Sequence, residues 1–198
     1  MRRVAILVAA MMASPLVACA PEPPTAVFVG DAAALVAPTN APSWVDSVSA
    51  SQGWTEINAG CSDSGYTQRG TVCMATFREQ LPALVPDEPD VVVVSGGVSD
   101  LDATPGEIRA AVRATYLEAR ETFPDATIYA VAGLATGPSD AVSVLDDAVA
   151  EAATSVGAIY VDVSEPLTDP TLMADDGSLT AAGHAAVAEL TSNVISAE

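Results

Sequence analysis

The chain has 198 residues, half of them hydrophobic and 5% aromatic, with 26 acidic residues, seven arginines, one histidine and no lysine, for a formal net charge of −19. That length suits one domain of ordinary size with a full core. The charge excludes nucleic acid as a partner class, because phosphate contacts need clustered Lys and Arg; solubility accounts for it without naming a partner.

The chain opens on an address rather than on structure. Arg2 and Arg3 precede the apolar run 4–12, as in an export leader. The run is too short for a membrane span, which needs about 20 apolar residues, and nothing later in the chain is long and apolar enough. Leu16-Val17-Ala18-Cys19 resembles a bacterial lipoprotein box. It implies a leader over residues 1–18, a lipidated Cys19 and a Pro-rich tether over 19–25. Ordinary cleavage after Ala20 competes with this, since Ala18-Cys19-Ala20 also meets the small-residue rule. The first reading puts the protein on the outer face of the cytoplasmic membrane or the cell surface, held by its lipid alone; the second makes it secreted.

From residue 26 to 198, short β-rich runs alternate with alanine-rich helical stretches, the pattern of βαβ units around a parallel sheet. The predicted elements begin with strand 26–30, helix 43–52, strand 55–58 and helix 74–84. Strand 90–95 holds four consecutive valines without alternation, as a central strand covered on both faces would. Thr104-Pro105-Gly106-Glu107 combines a cap, a proline at the first helical position and a capping-box glutamate, and starts a helix that runs to about 122. Strand 127–132, helix 139–156, strand 158–163 and a last helix from about 180 complete a doubly wound sheet of five parallel strands.

With Cys19 consumed by lipid, Cys61 and Cys73 remain as a pair. They would close a loop rich in Gly, Ser and Thr, a bridge that contributes about 3 kcal/mol. Two cysteines and one distant histidine make no zinc site, and no metal or cofactor is expected. A doubly wound sheet places its crevice at the carboxyl ends of the strands. The loops to inspect therefore follow Gly30, Asn58, Ser95, Ala132 and Val163.

Four blocks at these ends carry a resemblance. They are Val27-Phe28-Val29-Gly30-Asp31-Ala32 after the first strand, and Asn58-Ala59-Gly60 with Gly65-Tyr66 after the second. The third strand is followed by Gly96-Gly97-Val98-Ser99-Asp100, and Asp175-Asp176-Gly177-Ser178-Leu179-Thr180 precedes the last helix. In order and spacing they resemble the SGNH, or GDSL-type, ester hydrolases. The resemblance implies a three-layer α/β/α, flavodoxin-like domain. It also implies roles: Ala32 stands at the nucleophilic serine, Gly60 at the glycine lending its N–H to the oxyanion, and Ser99 at the oxyanion asparagine. Asp175 stands at the acid and Ser178 at the histidine base. An alanine methyl cannot attack a carbonyl, and members of such a unit fail together when one is lost.

Substitutes would have to come from the neighbours. Asp31, Ser64, Gly97 and Asp100 are candidate crevice residues, with Ser62 and Ser95 as further hydroxyls. His184 lies about four residues into the last helix, where packing on the helix competes with a role as base. Asp31, Asp100, Asp175 and Asp176 form either a carboxylate or cation cluster or a set of solvated loop and cap carboxylates; Ser178 also suits a turn beside Gly177. Trp44 and Trp54 flank helix 43–52 as packing residues, a sugar-stacking wall being the alternative. Gly96-Gly97 lacks the rest of any phosphate-loop signature.

Two functions remain. One is a lipid-anchored pseudoenzyme that binds an acylated or acetylated envelope glycan or lipid, or an envelope protein. The other is a divergent ester hydrolase using another nucleophile.

Overall fold

The computed structural model describes residues 21–38, 40–132, 134, 140–175 and 177–198. The expected leader over 1–18, Cys19 and Ser139 lie outside these residues. Five strands form one all-parallel sheet: β1 (Thr25–Gly30), β2 (Thr55–Gly60), β3 (Val91–Ser95), β4 (Thr127–Ala132) and β5 (Ile159–Asp162), in the order β2-β1-β3-β4-β5. This is the expected doubly wound, three-layer arrangement. Its strand order reverses between β1 and β3, which is where such a sheet opens a crevice.

Alternation along the strands divides the core in two. Val27, Val29, Val92, Val94 and Ile128 face one layer, made by α3 (Phe77–Gln80), α4 (Pro105–Thr122) and α5 (Asp140–Val156). Ala26, Phe28, Val93, Tyr129 and Val131 face the other, made by α2 (Trp44–Gln52) and α6 (Ala181–Ser196), with the short α1 (Ala32–Leu35) at its upper edge. The four valines of β3 are buried on both faces, which is why their run lacks alternation. Phe28 and Trp44 are fully buried and meet edge to face at 5.7 Å; side chains of this size each contribute about 1.5–3 kcal/mol when removed from water.

Caps set the helix boundaries. Ser43 and Thr104 form capping boxes with Asp46 and Glu107, Pro105 takes the first helical position, and Thr180 caps α6 by accepting the Gly183 N–H. These ends lie where the sequence predicts. The helix expected over 74–84 does not. Met74 takes a left-handed φ of 55°, and Thr76 caps a single turn that begins only at Phe77. After Gln80 the chain tightens into a 3-10 segment, Leu81–Asp87, with Pro82 near its start, because proline has no N–H to continue an α-helical ladder. Glu79 closes this cap and also binds Arg69, whose hydrogen bond is the main reason its carboxyl is held down to about 2. β2 runs two residues beyond the predicted strand, to Gly60, and β5 is shorter than predicted by one residue at each end.

Candidate functional site

The carboxyl ends of β1, β2 and β3 converge on Asp31. Its carboxylate, buried behind β1, accepts a hydrogen bond from Ser99 Oγ at 2.9 Å and one from the Asp63 N–H at 3.3 Å. Ser99 reaches it because Gly96 and Gly97 both take φ of 112°, a left-handed turn that side-chain-bearing residues adopt only with strain. The chain then enters a short 3-10 turn, Val98–Asp100.

Asp100 points away from Asp31. It is 1% exposed and accepts the N–H groups of Tyr66 (2.7 Å), Thr67 (2.7 Å) and Gln68 (3.1 Å) and the Thr67 hydroxyl (2.6 Å). A Cβ at Gly65 would lie 2.5 Å from this carboxylate, so glycine is the residue that lets the loop wrap it. The Cys61–Cys73 disulfide closes the same loop. Ser64 Oγ contacts the carbonyls of Cys61 (2.7 Å) and Gly30 (3.2 Å), anchoring the loop to the end of β1. Asp63 stands at its rim with a left-handed φ of 60° and accepts the Thr71 hydroxyl at 3.0 Å.

Between these parts lies a cavity of about 230 Å³. Asp31, Asp63 and Ser99 form its polar side; Ala34, Val98, Leu134, Met173 and Leu179 form its apolar side. The apolar wall is fixed by an antiparallel bridge between Met173 and Leu179 around a turn in which Gly177 donates to the Ala174 carbonyl. A cavity of this size has room for a short acyl group, and the carboxylates of its polar side are hydrogen-bond acceptors. No imidazole, lysine or arginine lines it among the described residues.

The model of the GDSL-like lipase/acylhydrolase family matches residues 26–186, most of the chain. The chain belongs to that family. Solved structures agree on the fold. A family two carbohydrate esterase from Clostridium thermocellum, in complex with cellohexaose, superposes with a TM-score of 0.70 at 17% identity, over 91% of this chain and 66% of that one. A Lactobacillus plantarum protein gives a TM-score of 0.74 at 16% identity, over 90% of this chain and 99% of that one. TesA gives 0.69 at 20% identity, over 86% and 97%. The chain thus spans just under two thirds of the length of the carbohydrate esterase. No curated protein matches it.

Of the residues that the GDSL resemblance picks out, the structure brings Asp31 and Ser99 together at the cavity. Ala32 opens α1 beside Asp31 but does not line the cavity. Gly60 ends β2, and its N–H donates to Asn58 Oδ1 at 3.0 Å, so the donor expected for an oxyanion is already engaged. Ser178 is half-buried, its carbonyl accepting the Ala174 N–H at 2.8 Å while its neighbours Gly177 and Leu179 reach the cavity. Asp175 is exposed in that turn, and Asp176 lies outside the described residues.

Asp31, Asp100 and Asp175 do not gather into a cluster: the first two serve separate hydrogen-bond networks, and among the described residues no three His, Cys, Asp or Glu side chains converge as metal ligands. Nor are they all solvated, since Asp31 and Asp100 are buried. Ser64 and Asp100 are taken up in holding the disulfide loop. Gly97 faces Leu145 and Tyr66 rather than the cavity. Ser95 is sealed at the end of β3, and Ser62 gives its carbonyl to Thr71.

His184 is buried in α6 against the start of α2. Its Nδ1 accepts the Trp44 N–H, an orphan donor at the start of α2, at 3.2 Å. Burial pushes its pKa below the usual value, opposed by the Val36 backbone and Asp46. Packing is thus its role. Trp44 also packs, with Nε1 donating to the Ala34 carbonyl at 2.8 Å, and Trp54 lies against Tyr129; neither lines the cavity. Tyr66 and Tyr116, whose hydroxyls meet at 3.3 Å in the core, are both pushed up by burial and are no bases at neutral pH. Sequence reading missed Asp63, Leu134 and Met173 as cavity residues. Asp63 had a signal, its place in the second block's loop; Leu134 and Met173 had none beyond hydrophobicity.

Proposed function

We propose that the protein is an exported lipoprotein whose GDSL-type domain binds an acylated or acetylated envelope glycan without cleaving it. An envelope lipid or protein is a less well supported occupant. One observation carries this reading: the only hydroxyl among the cavity's lining residues, that of Ser99, is hydrogen-bonded to a carboxylate and has no imidazole beside it. A carboxylate is a far weaker base than an imidazole for taking the proton of a serine hydroxyl. The positions aligned with the family's nucleophile, oxyanion asparagine and base hold Ala32, Ser99 and Ser178, and the Gly60 N–H is occupied. Recognition groups for a short acyl chain are present where the parts for attacking it are not.

Geometry favours a glycan over the anchoring membrane's own lipid. The tether enters at Thr25, the start of β1, whereas the cavity lies beyond Gly30 at its other end, about 20 Å away along the strand. A lipid on Cys19 would leave the cavity facing outward. A negatively charged surface also disfavours acidic lipid headgroups.

The test is hydrolysis of short-chain aryl acetates, with calorimetric binding of partly O-acetylated cello-oligosaccharides. Binding without turnover is expected, and ester cleavage confined to the triple variant Ala32→Ser, Ser99→Asn, Ser178→His would support an inherited scaffold. Turnover by the unaltered protein that survives Ala32→Gly but disappears in Ser99→Ala would overturn the reading in favour of a divergent hydrolase.

A further inference from the structure

The mature chain carries five arginines and no lysine, and three of the five are engaged. Arg69 pairs with Glu79 at 2.6 Å and Arg78 with Glu118 at 2.9 Å. Arg120 donates to the carbonyls of Val156, Phe123, Pro124 and Ala126, tying the ends of α4 and α5 to the sheet. Arg109 and Arg113 have no ion pair or hydrogen bond among the described residues, in a chain with 26 acids to choose from.

These two stand four residues apart on α4, on the same side of the helix. They line a groove of about 340 Å³ between α4 and α5, roomy because Ala110, Ala148 and Ala152 contribute only methyl groups; Glu151 and Ser155 complete it. Ser155 Oγ is directed to the Ala152 carbonyl, leaving Glu151 as the groove's own anion, beyond ion-pair distance. Like charges at this spacing destabilise a helix, and both arginines lie in the N-terminal half, where the helix dipole gives cations no compensation. Paired guanidinium forks suit the oxygens of a phosphate or carboxylate.

We propose that the α4–α5 groove binds a phosphate or carboxylate group through Arg109 and Arg113. A third cavity, of about 720 Å³, shares Ser99 with the crevice and Ala110 with this groove. A glycan held in the crevice by an acyl group thus has a path along α4 to the arginines, and its acidic group, uronate or phosphate, binds there. That extension rests on the proposed function; the anion site does not.

Side-chain guanidinium signals of the protein are followed by NMR during titration with inorganic phosphate, with oligogalacturonate, and with neutral cello-oligosaccharide as control. Saturable shifts of Arg109 and Arg113 are expected with the two anions and not with the neutral sugar. They vanish in the double variant Arg109→Gln, Arg113→Gln, persist in Arg78→Gln, and occur at about threefold lower concentration in Glu151→Gln, the effect of removing one partly screened charge. Saturation by oligogalacturonate but not by phosphate identifies the carboxylate as the source, and the reverse identifies the phosphate. Shifts that never saturate, or that survive in the double variant, overturn the site. If anions bind while acetylated cello-oligosaccharides do not, the proposed crevice ligand fails and the anion site stands.

Discussion

Two aspartates illustrate what burial does to one residue type. Asp100 is stabilised by four donors, and Asp100→Asn would place an amide N–H₂ against them. Urea denaturation is expected to lose about 3 kcal/mol; a loss below 1 kcal/mol would mean that the loop holds without its clamp. Asp146 on α5 is the opposite case. Its Oδ1 is buried without a partner among the described residues, and burial, aided by Asp162 and Asp147, raises its pKa to about 6. The folded state therefore binds this proton more tightly than the unfolded chain does. Stability from this group is full below about pH 4 and is lost as the pH rises through about 6. Asp146→Asn is expected to stabilise the protein by about 1–2 kcal/mol at pH 7, after allowance for solvent on its open side, with little change at pH 4. Equal effects at both pH values would sink the assignment.

Among the elements, those with strong local signals were legible. The Thr104-Pro105-Glu107 start of α4, the unbroken valines of β3 and the cap of α6 at Thr180 read directly, because each depends on neighbours in sequence. The 74–84 helix did not, because its start is decided by the disulfide loop and its end by Pro82. The site was legible in outline: the loops were correctly placed, and Asp31 and Ser99 meet. Their mutual hydrogen bond, the engagement of the Gly60 N–H by Asn58 and the diversion of Asp100 into the loop are tertiary facts that spacing cannot carry. The Cys61–Cys73 pair was legible once Cys19 was read as the site of lipidation, which left two cysteines. Replacing both with alanine is expected to cost about 3 kcal/mol and to weaken ligand binding in the crevice through displacement of Asp63; thermal melts with and without reductant check the first part, and calorimetry the second.

At the level of the whole molecule, the charge of −19 repels itself in the compact state more than in the open chain. Salt screens this over a Debye length of about 10 Å at 0.1 M. Going from 10 mM to 150 mM sodium chloride is expected to raise Tm by about 2–4 °C, equivalent to about 1 kcal/mol; an unchanged melt would mean that the acids are spaced widely enough not to interact.

The covalent bridge has a consequence of place. Neither Cys61 nor Cys73 belongs to the two cores, but the loop that carries Asp63 to the cavity, and that Ser64 pins to β1, is closed by them. A chain surrounded by free thiols would own the scaffold and lack the finished rim. Oxidation of the two thiols would then be the step that fixes Asp63 at the cavity's rim.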